Sequence, residues 1–170
     1  MRCLLFPGQY VEDVFSINYE ALLASGVRGL IFDIDNTLVP HGTNSTPQVD
    51  DLFARLHDMG FKTLLLSNNN RARIERFIEN IDTLYIEESG KPHPAAFDKA
   101  LKMLNMTKNE VVVIGDQVFT DVLGANRAGL DSILVKYIGY YKKEKKGIRR
   151  NVEKVVLYLY SKLTDHGKKT

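Results

Sequence analysis

Short apolar runs alternate along the chain with longer segments in which apolar residues recur at helical spacing. The runs are four to six residues long and rich in Val, Ile, Leu and Phe, which is typical of buried parallel strands. They occupy residues 27–32, 61–66, 83–86, 111–114 and 132–135. The intervening segments predict helices at 47–59, from 71, at 92–104 and at 118–128. This alternation predicts an α/β fold, a doubly wound parallel sheet of about five strands.

The chain is predicted to be one domain, residues 1–170, with its core at about 27–135. Residues 1–26 form a helical lead-in, because Val14, Ile17 and Leu22 are roughly helically spaced. Residues 136–170 hold a basic segment and a closing helix. The apolar residues that share one face of this helix are Val152, Val155, Val156, Leu159 and Leu163.

Polar side chains follow the predicted strands at their carboxyl ends. Asp33 and Asp35 follow the first strand. Ser67 follows the second and Asp116 the fourth, while Lys91 begins the helix after the third. The carboxyl ends of parallel strands meet at one edge of the sheet, where such folds bind ligands. We therefore expect these five side chains to form one site.

The residue types at this edge favour phosphoryl transfer assisted by a magnesium ion. The three aspartates, and Asp121 five residues after Asp116, offer only oxygen ligands, which suit Mg²⁺. Gathered without a cation, they would be costly to bury. Lys91 and the Ser67 hydroxyl supply donors for an anionic group, and an aspartate in such a site can act as the nucleophile.

Helix capping is the alternative explanation for polar residues at strand ends. Capping accounts well for Thr46 or Asn70 but not for the joint pattern. For Asn68 two alternatives stay open, a contact with the phosphate or substrate and a cap for the next helix. Asn36 and Thr37 are interpreted as residues that stabilise a turn.

Four motifs, in order, resemble those of the haloacid dehalogenase-type phosphatase superfamily. They are a strand with Asp-x-Asp-x-Thr at residues 30–38, a strand with Ser at 64–68, Gly-Lys-Pro at 90–92, and Gly-Asp with a further Asp at 113–121. Their finer form resembles the YqeG-type branch, which includes phosphatidylglycerophosphatases. The resemblance covers about residues 27–135 and implies a three-layer Rossmann-like fold. Only 31 positions separate Asp35 from Ser67 and 23 separate Ser67 from Lys91, so we expect the capless subclass III without a cap domain.

The resemblance also implies a role for each matching residue. Asp33 would be the nucleophile that forms an aspartyl-phosphate. Asp35 would be the acid for the leaving group and then the base for water. Ser67 and Lys91 would hold the phosphoryl oxygens. Mg²⁺ would be bound by Asp33, Asp116 and the backbone carbonyl of Asp35. Asp121 would contact the ion through a water molecule or would contact one of its ligands.

Charge is divided unevenly along the chain, although the net charge is only +2. Residues 136–170 carry 11 Lys and Arg against 3 Asp and Glu, whereas residues 1–135 carry 12 against 18. The basic segment Lys142–Arg150 would attract anionic lipid head groups and allow peripheral membrane contact, with nucleic acid as the second choice. A solvated surface loop is the commoner meaning of such a run.

Cysteine content and hydropathy restrict the class of protein further. One cysteine excludes a disulfide framework and a cysteine-based zinc site. No apolar run approaches the roughly 18 residues of a membrane-spanning helix. The apolar start before Pro7 is too short for a signal peptide. We therefore expect a cytoplasmic protein that works at or near the membrane surface.

The five site residues predict a Mg²⁺-dependent phosphomonoesterase, and the resemblance implies that it acts on phosphatidylglycerophosphate, which the missing cap and the basic segment place at the membrane surface. One alternative is a phosphatase of soluble or nucleic-acid phosphomonoesters. The other is a non-catalytic nucleic-acid-binding module on the same fold. Each of these hypotheses is compatible with a homo-oligomer, in which a neighbouring subunit would cover the open site.

Overall fold

A computed structural model describes residues 3–138 and 148–166, with side chains described up to residue 138 and from 152 to 163. The strands in these residues are β1 (Gln9–Val11), β2 (Gly29–Phe32), β3 (Lys62–Leu66), β4 (Leu84–Ile86), β5 (Val111–Gly115) and β6 (Asp131–Val135). They form one parallel sheet in the order β1-β6-β5-β2-β3-β4. The prediction of a doubly wound parallel sheet is confirmed, with six strands in place of about five.

Helices cover both faces of the sheet and give the three layers. The helices are α1 (Tyr19–Ala24), α2 (Pro47–Asp58), α3 (Arg71–Phe77), α4 (Pro94–Leu104), α5 (Leu123–Ala128) and α6 (Ile148–His166). Successive residues of β2 serve opposite cores, because side chains alternate along a strand. Leu30 and Phe32 pack with α2 and α3, whereas Ile31 packs with α4 and α5.

The N-terminal segment differs from the helical lead-in expected for residues 1–26. Gln9–Val11 forms the edge strand β1, which pairs with β6, and a 3-10 turn at Val14–Ser16 precedes the short helix α1. The strand has only three residues, and none of them is buried. It therefore lacks the apolar pattern by which a strand is recognised, and its pairing with β6 is set by a contact more than 100 residues away.

No cap domain is inserted between the motifs. Within residues 3–138, the chain between Asp35 and Ser67 forms a loop, α2 and β3, and the chain between Ser67 and Lys91 forms α3 and β4. Thr46 begins α2 by accepting a hydrogen bond from the Val49 N–H, and Pro47 occupies its first turn. The edge of the sheet that carries the polar residues is thus left without a lid from these segments.

The C-terminal part contains α6, the predicted closing helix. Of its apolar residues, Val156 is buried against Val118, Val122 and Leu134. The basic segment Lys142–Arg150 lies outside the described residues up to position 147, and only the helical backbone is described at 148–150. Among the described helices, none is both long and apolar enough to cross a bilayer.

Candidate active site

The chain leaves β2 at Asp33 and turns sharply instead of continuing as a strand. Asn36 has a φ of 65°, a left-handed conformation that asparagine adopts more readily than most residues. The Leu38 N–H donates to the Ile34 carbonyl at 2.9 Å and closes the turn. The turn brings Asp33 and Asp35 to the carboxyl edge of the sheet, where they face different partners.

Three carboxylates meet where β2 and β5 end. Asp33, Asp116 and Asp121 each offer an oxygen atom within 4.8 Å of the other two. Thr37 lies between two of them, with its Oγ1 3.2 Å from Asp33 Oδ2 and 3.4 Å from Asp116 Oδ1. Like charges this close repel strongly where water is excluded. The cluster therefore fits a cation, and its all-oxygen donors suit Mg²⁺.

Lys91 supplies the positive charge of this cluster. Its Nζ donates to Asp33 Oδ1 at 2.6 Å and to Asp121 Oδ1 at 2.8 Å, and the side chain is almost fully buried. Burial by itself would lower the pKa of Lys91, but the charges of Asp121 and Asp33 raise it above its ordinary value. Burial raises the pKa of Asp33 to about 6 against the opposing charge of Lys91. One ammonium group thus balances only part of the negative charge.

Asp121 is held by a short irregular segment that follows β5. The segment Val118–Val122 forms a π-helical turn before α5. The Gln117 N–H donates to Asp121 Oδ2 at 3.1 Å. The Asp121 carboxyl group also packs directly over Gly115, where any side chain would collide with it. The absence of a Cβ at position 115 is what lets Asp121 reach Lys91.

Ser67 and Asn68 follow β3 and connect the second motif to the third. Ser67 Oγ accepts from the Asn69 N–H at 3.2 Å, and its side chain is buried. Asn68 Oδ1 accepts from the Lys91 N–H at 3.0 Å and from Ser89 Oγ at 2.8 Å. The next helix is capped by Asn70, so the side-chain oxygen of Asn68 orients the loop that carries Lys91. A phosphate contact through the Asn68 amide stays a prediction.

Asp35 points away from the three-carboxylate cluster and into a separate set of donors. Asp35 Oδ1 accepts from Arg73 Nη2 and from the Gly42 N–H, each at 3.0 Å. Asp35 Oδ2 accepts from Asn69 Nδ2 at 2.5 Å, and the same amide donates to Ser67 Oγ at 3.0 Å. Asn69 therefore joins Asp35 to the rest of the site. A contribution of Asp35 to the metal through its backbone carbonyl stays a prediction.

Arg73 is a buried cation on the inner side of α3. Its Nη2 also donates to the Thr43 carbonyl at 2.6 Å, and its guanidinium lies 5.7 Å from the centre of the Phe77 ring. Burial acts to raise the pKa of Asp35, but hydrogen bonds from Gly42, Asn69 and Arg73 together lower it. The carboxylate of Asp35 is thus held ionised and in one orientation.

The structure brings the sequence-predicted residues into one connected network but adds three that sequence reasoning missed. Thr37, interpreted as a turn residue, contacts two carboxylates. Asn69 and Arg73 received no role, although both hold Asp35. A signal for Arg73 existed, because the residue shares the buried face of α3 with Phe77 and Ile74, where a cation requires a partner.

A scan against family models matches residues 43–129 to "Hydrolase: haloacid dehalogenase-like hydrolase". The probable phosphatase YqeG of Bacillus subtilis (strain 168) is 38% identical over 136 residues, which is 79% of each chain. A glyceraldehyde 3-phosphate phosphatase of Pyrococcus abyssi is 30% identical over 100 residues, 54% of this chain and 42% of that protein. Phosphatidylglycerophosphate phosphatase 1 of Arabidopsis thaliana is 24% identical over 178 residues, 99% of this chain and 51% of that protein.

Solved structures support the same fold. An uncharacterized protein from Listeria monocytogenes serotype 4b superposes with a TM-score of 0.54 at 20% identity, covering 79% of this chain and 99% of that one. The chain spans about half or less of the Pyrococcus and Arabidopsis proteins, but most of the Bacillus protein. The chain belongs to the haloacid dehalogenase-like hydrolase family, and it is a phosphatase of that family.

Proposed function

We propose that the chain is a Mg²⁺-dependent phosphomonoesterase that works through a phosphoryl group carried on Asp33. The observation that carries this proposal is the meeting of three carboxylates with a buried ammonium group, Lys91 Nζ lying 2.6 Å from Asp33 Oδ1. Asp33, Asp116 and Asp121 would hold the ion. When bound, Mg²⁺ offsets the charge of the phosphoryl group and of the carboxylates around it.

In the first half-reaction, a carboxylate oxygen of Asp33 attacks phosphorus and the bond to the substrate alkoxide breaks. The alkoxide takes a proton from Asp35 and leaves as the alcohol. Asp35 is ionised at rest, but an arriving phosphate dianion favours its protonated form because like charges repel. Lys91 and Ser67 donate hydrogen bonds to the phosphoryl oxygens and hold the group in place.

In the second half-reaction, water attacks the phosphorus of the aspartyl-phosphate and gives up its proton to Asp35. The bond between phosphorus and Asp33 breaks, so inorganic phosphate leaves and the Asp33 carboxylate is restored. The donors that hold Asp35 are suited to this step, because they favour the ionised form that accepts a proton.

We further propose that the substrate is a lipid phosphomonoester of the phosphatidylglycerophosphate kind, met at the cytoplasmic face of the membrane. Two observations support this choice. The Arabidopsis relative that carries this activity in its name aligns with nearly the whole chain. The site also lacks a cap in residues 3–138, which suits a large substrate whose own body excludes water.

A phosphate-release assay tests both levels of the proposal. Purified protein is given phosphatidylglycerophosphate in mixed micelles, glyceraldehyde 3-phosphate or p-nitrophenyl phosphate, each with Mg²⁺ or with EDTA. We expect Mg²⁺-dependent release, fastest from the lipid, and its loss in Asp33→Asn. Asp98→Asn, an exposed aspartate on α4, serves as the matched control and should behave as the wild type.

The assay can contradict the proposed mechanism and the proposed substrate independently. An active Asp33→Asn variant would contradict the mechanism. Turnover of the soluble esters far above that of the lipid would contradict the substrate and favour the phosphatase of soluble phosphomonoesters, a reading to which the Pyrococcus relative lends support.

A further inference from the structure

Helix α6 leaves an apolar stripe in solvent. Four of its residues are three or four positions apart and the fifth is adjacent to one of them, so all five lie on one side of the helix. Its members are Val152, Val155, Tyr158, Leu159 and Leu163, each between 44% and 64% exposed. Exposed apolar residues that gather in one patch mark an interaction surface more often than scattered ones do.

The same helix is fixed to the body of the protein by its neighbouring side. Glu153 Oε1 accepts from the Val118 N–H at 3.0 Å in a buried contact. Val156 packs with Val118, Val122 and Leu134. Only one edge of the apolar face of α6 therefore packs against the protein, and the exposed rest of that face is the stripe. Of the five apolar residues predicted to share one face of this helix, Val156 is buried and the other four are exposed.

Among the α6 side chains that the structure describes, 152–163, the exposed charges have one sign. Lys154 and Lys162 are exposed on α6, and Lys162 Nζ lies 5.6 Å from the centre of the Tyr158 ring. Glu153, the one acidic residue in the part of α6 whose side chains are described, is buried. An apolar stripe that includes a tyrosine and has lysines beside it suits the surface of an anionic bilayer, where the apolar groups would lie below the head groups and the ammonium groups among them.

We propose, as a deepening of the proposed function on which this rests, that the stripe docks the protein on an anionic lipid bilayer. The buried side of α6 contacts the segment Val118–Val122, which carries Asp121 of the carboxylate cluster. Docking would thus hold the metal-binding edge of the sheet one element away from the lipid surface. A second copy of the chain is the competing occupant, and the experiment separates the two.

The chain contains no tryptophan, so a single introduced indole reports its own surroundings. Leu159→Trp places the probe on the stripe. Phe15→Trp places it at an exposed apolar position outside α6 and is the matched control. With vesicles of phosphatidylcholine containing phosphatidylglycerol, the emission of Leu159→Trp should shift to shorter wavelength, while that of Phe15→Trp should not. Vesicles of phosphatidylcholine alone should give a weaker shift, and added salt should reduce it.

Vesicle co-sedimentation of the double variant Leu159→Ser/Leu163→Ser gives the independent readout. Loss of two leucine side chains that would insert into the bilayer should weaken partitioning by about tenfold or more. Hydrolysis of p-nitrophenyl phosphate by this variant should match the wild type, because neither leucine lies at the site. Unchanged co-sedimentation, or equal shifts for both indoles, would overturn the proposal.

The oligomeric state and the phosphatase assay complete the test. A wild-type dimer in sedimentation velocity that the double serine variant converts to a monomer would assign the stripe to a second copy and overturn lipid docking. An enzyme that hydrolyses p-nitrophenyl phosphate but ignores vesicles would overturn the docking and leave the phosphatase proposal standing. Vesicle binding without any Mg²⁺-dependent turnover would support the docking and overturn the phosphatase proposal.

Discussion

Lys91 lies between two carboxylates, and its ammonium group donates to both within 2.8 Å. A buried ion pair gains little net free energy, but removing one member leaves the other charged and unpaired. The same holds for Asp35 and Arg73, which are paired at 3.0 Å on the far side of Asn69. Single residues of the site are thus coupled through charge, and substitutions affect stability and turnover together.

The Lys91→Met variant should lose both stability and turnover. Without the ammonium group, three carboxylates repel one another, and the free energy of unfolding should fall by about 3 kcal/mol. Mg²⁺ should raise the melting temperature of this variant more than that of the wild type. Urea unfolding and thermal scans measure these effects, with exposed Lys99→Met as the control. A variant as stable as the wild type without Mg²⁺ contradicts the charge argument.

The Arg73→Met variant tests whether Arg73 positions Asp35. A general acid matters for an alkyl leaving group but hardly for p-nitrophenolate, so the variant should lose more turnover with alkyl phosphates than with p-nitrophenyl phosphate. Arg73→Lys should recover part of the loss. Arg71→Met, which removes an exposed pair with Glu87, is the control and should change neither rate. Equal losses on both substrates would show only a structural role.

At the scale of elements, the sheet places the site through the ends of β2, β3 and β5, and local pattern was enough to find these strands. Each strand is a buried apolar run, and the polar residues that follow it mark the edge of the sheet that carries the site. Pattern failed where the determining contact is distant. Strand β1 is paired by β6, and Arg73 acquires its role from Asp35, 38 positions earlier. The strand pairing leaves no periodic trace in the sequence, whereas the position of Arg73 on the buried face of α3 indicates that it needs a partner but not which one.

Helix α6 shows a different limit of the sequence pattern. Its apolar residues were recognised correctly, but periodicity describes a face and not what covers it. The width of the face exceeds what the body of the protein buries, since Val156 is inside while Leu159 and Leu163 are exposed. The packing of α6 against the segment Val118–Val122 is what shows which part of the apolar face stays exposed.

The Gly115→Ala variant tests the element that carries Asp121. A methyl group there would collide with the Asp121 carboxyl group and drive it away from Lys91. Displacement of an active-site group by about 1 Å lowers the rate on the order of a hundredfold, so kcat/KM should fall by about that factor. Because Asp121 Cβ would also lie 2.5 Å from the new methyl group, the collision is removed by Asp121→Gly, which should offset part of the stability lost in Gly115→Ala but not restore the turnover. Additive stability losses would contradict the proposed collision.

At the scale of the whole molecule, part of the uneven charge lies on residues that the structure describes. Part of the negative excess of residues 1–135 is the buried cluster of Asp33, Asp116 and Asp121, which calls for a cation. Lys154 and Lys162, two of the basic residues within 136–170, are exposed on the same helix as the apolar stripe. The proposed phosphate site without a cap in residues 3–138, together with the apolar stripe and the exposed lysines of α6, is the basis of our proposal that a membrane presents the substrate.

Chemical trapping of the phosphoryl group tests the central claim most directly. The Asp35→Asn variant lacks the base for the second half-reaction, yet p-nitrophenyl phosphate needs no acid in the first, so the intermediate should accumulate. Borohydride reduces an aspartyl-phosphate to homoserine, which peptide mass spectrometry locates. The account predicts homoserine at position 33, dependent on Mg²⁺ and substrate. Burst release of p-nitrophenol with Asp33 unmodified, or homoserine at another aspartate, would contradict it.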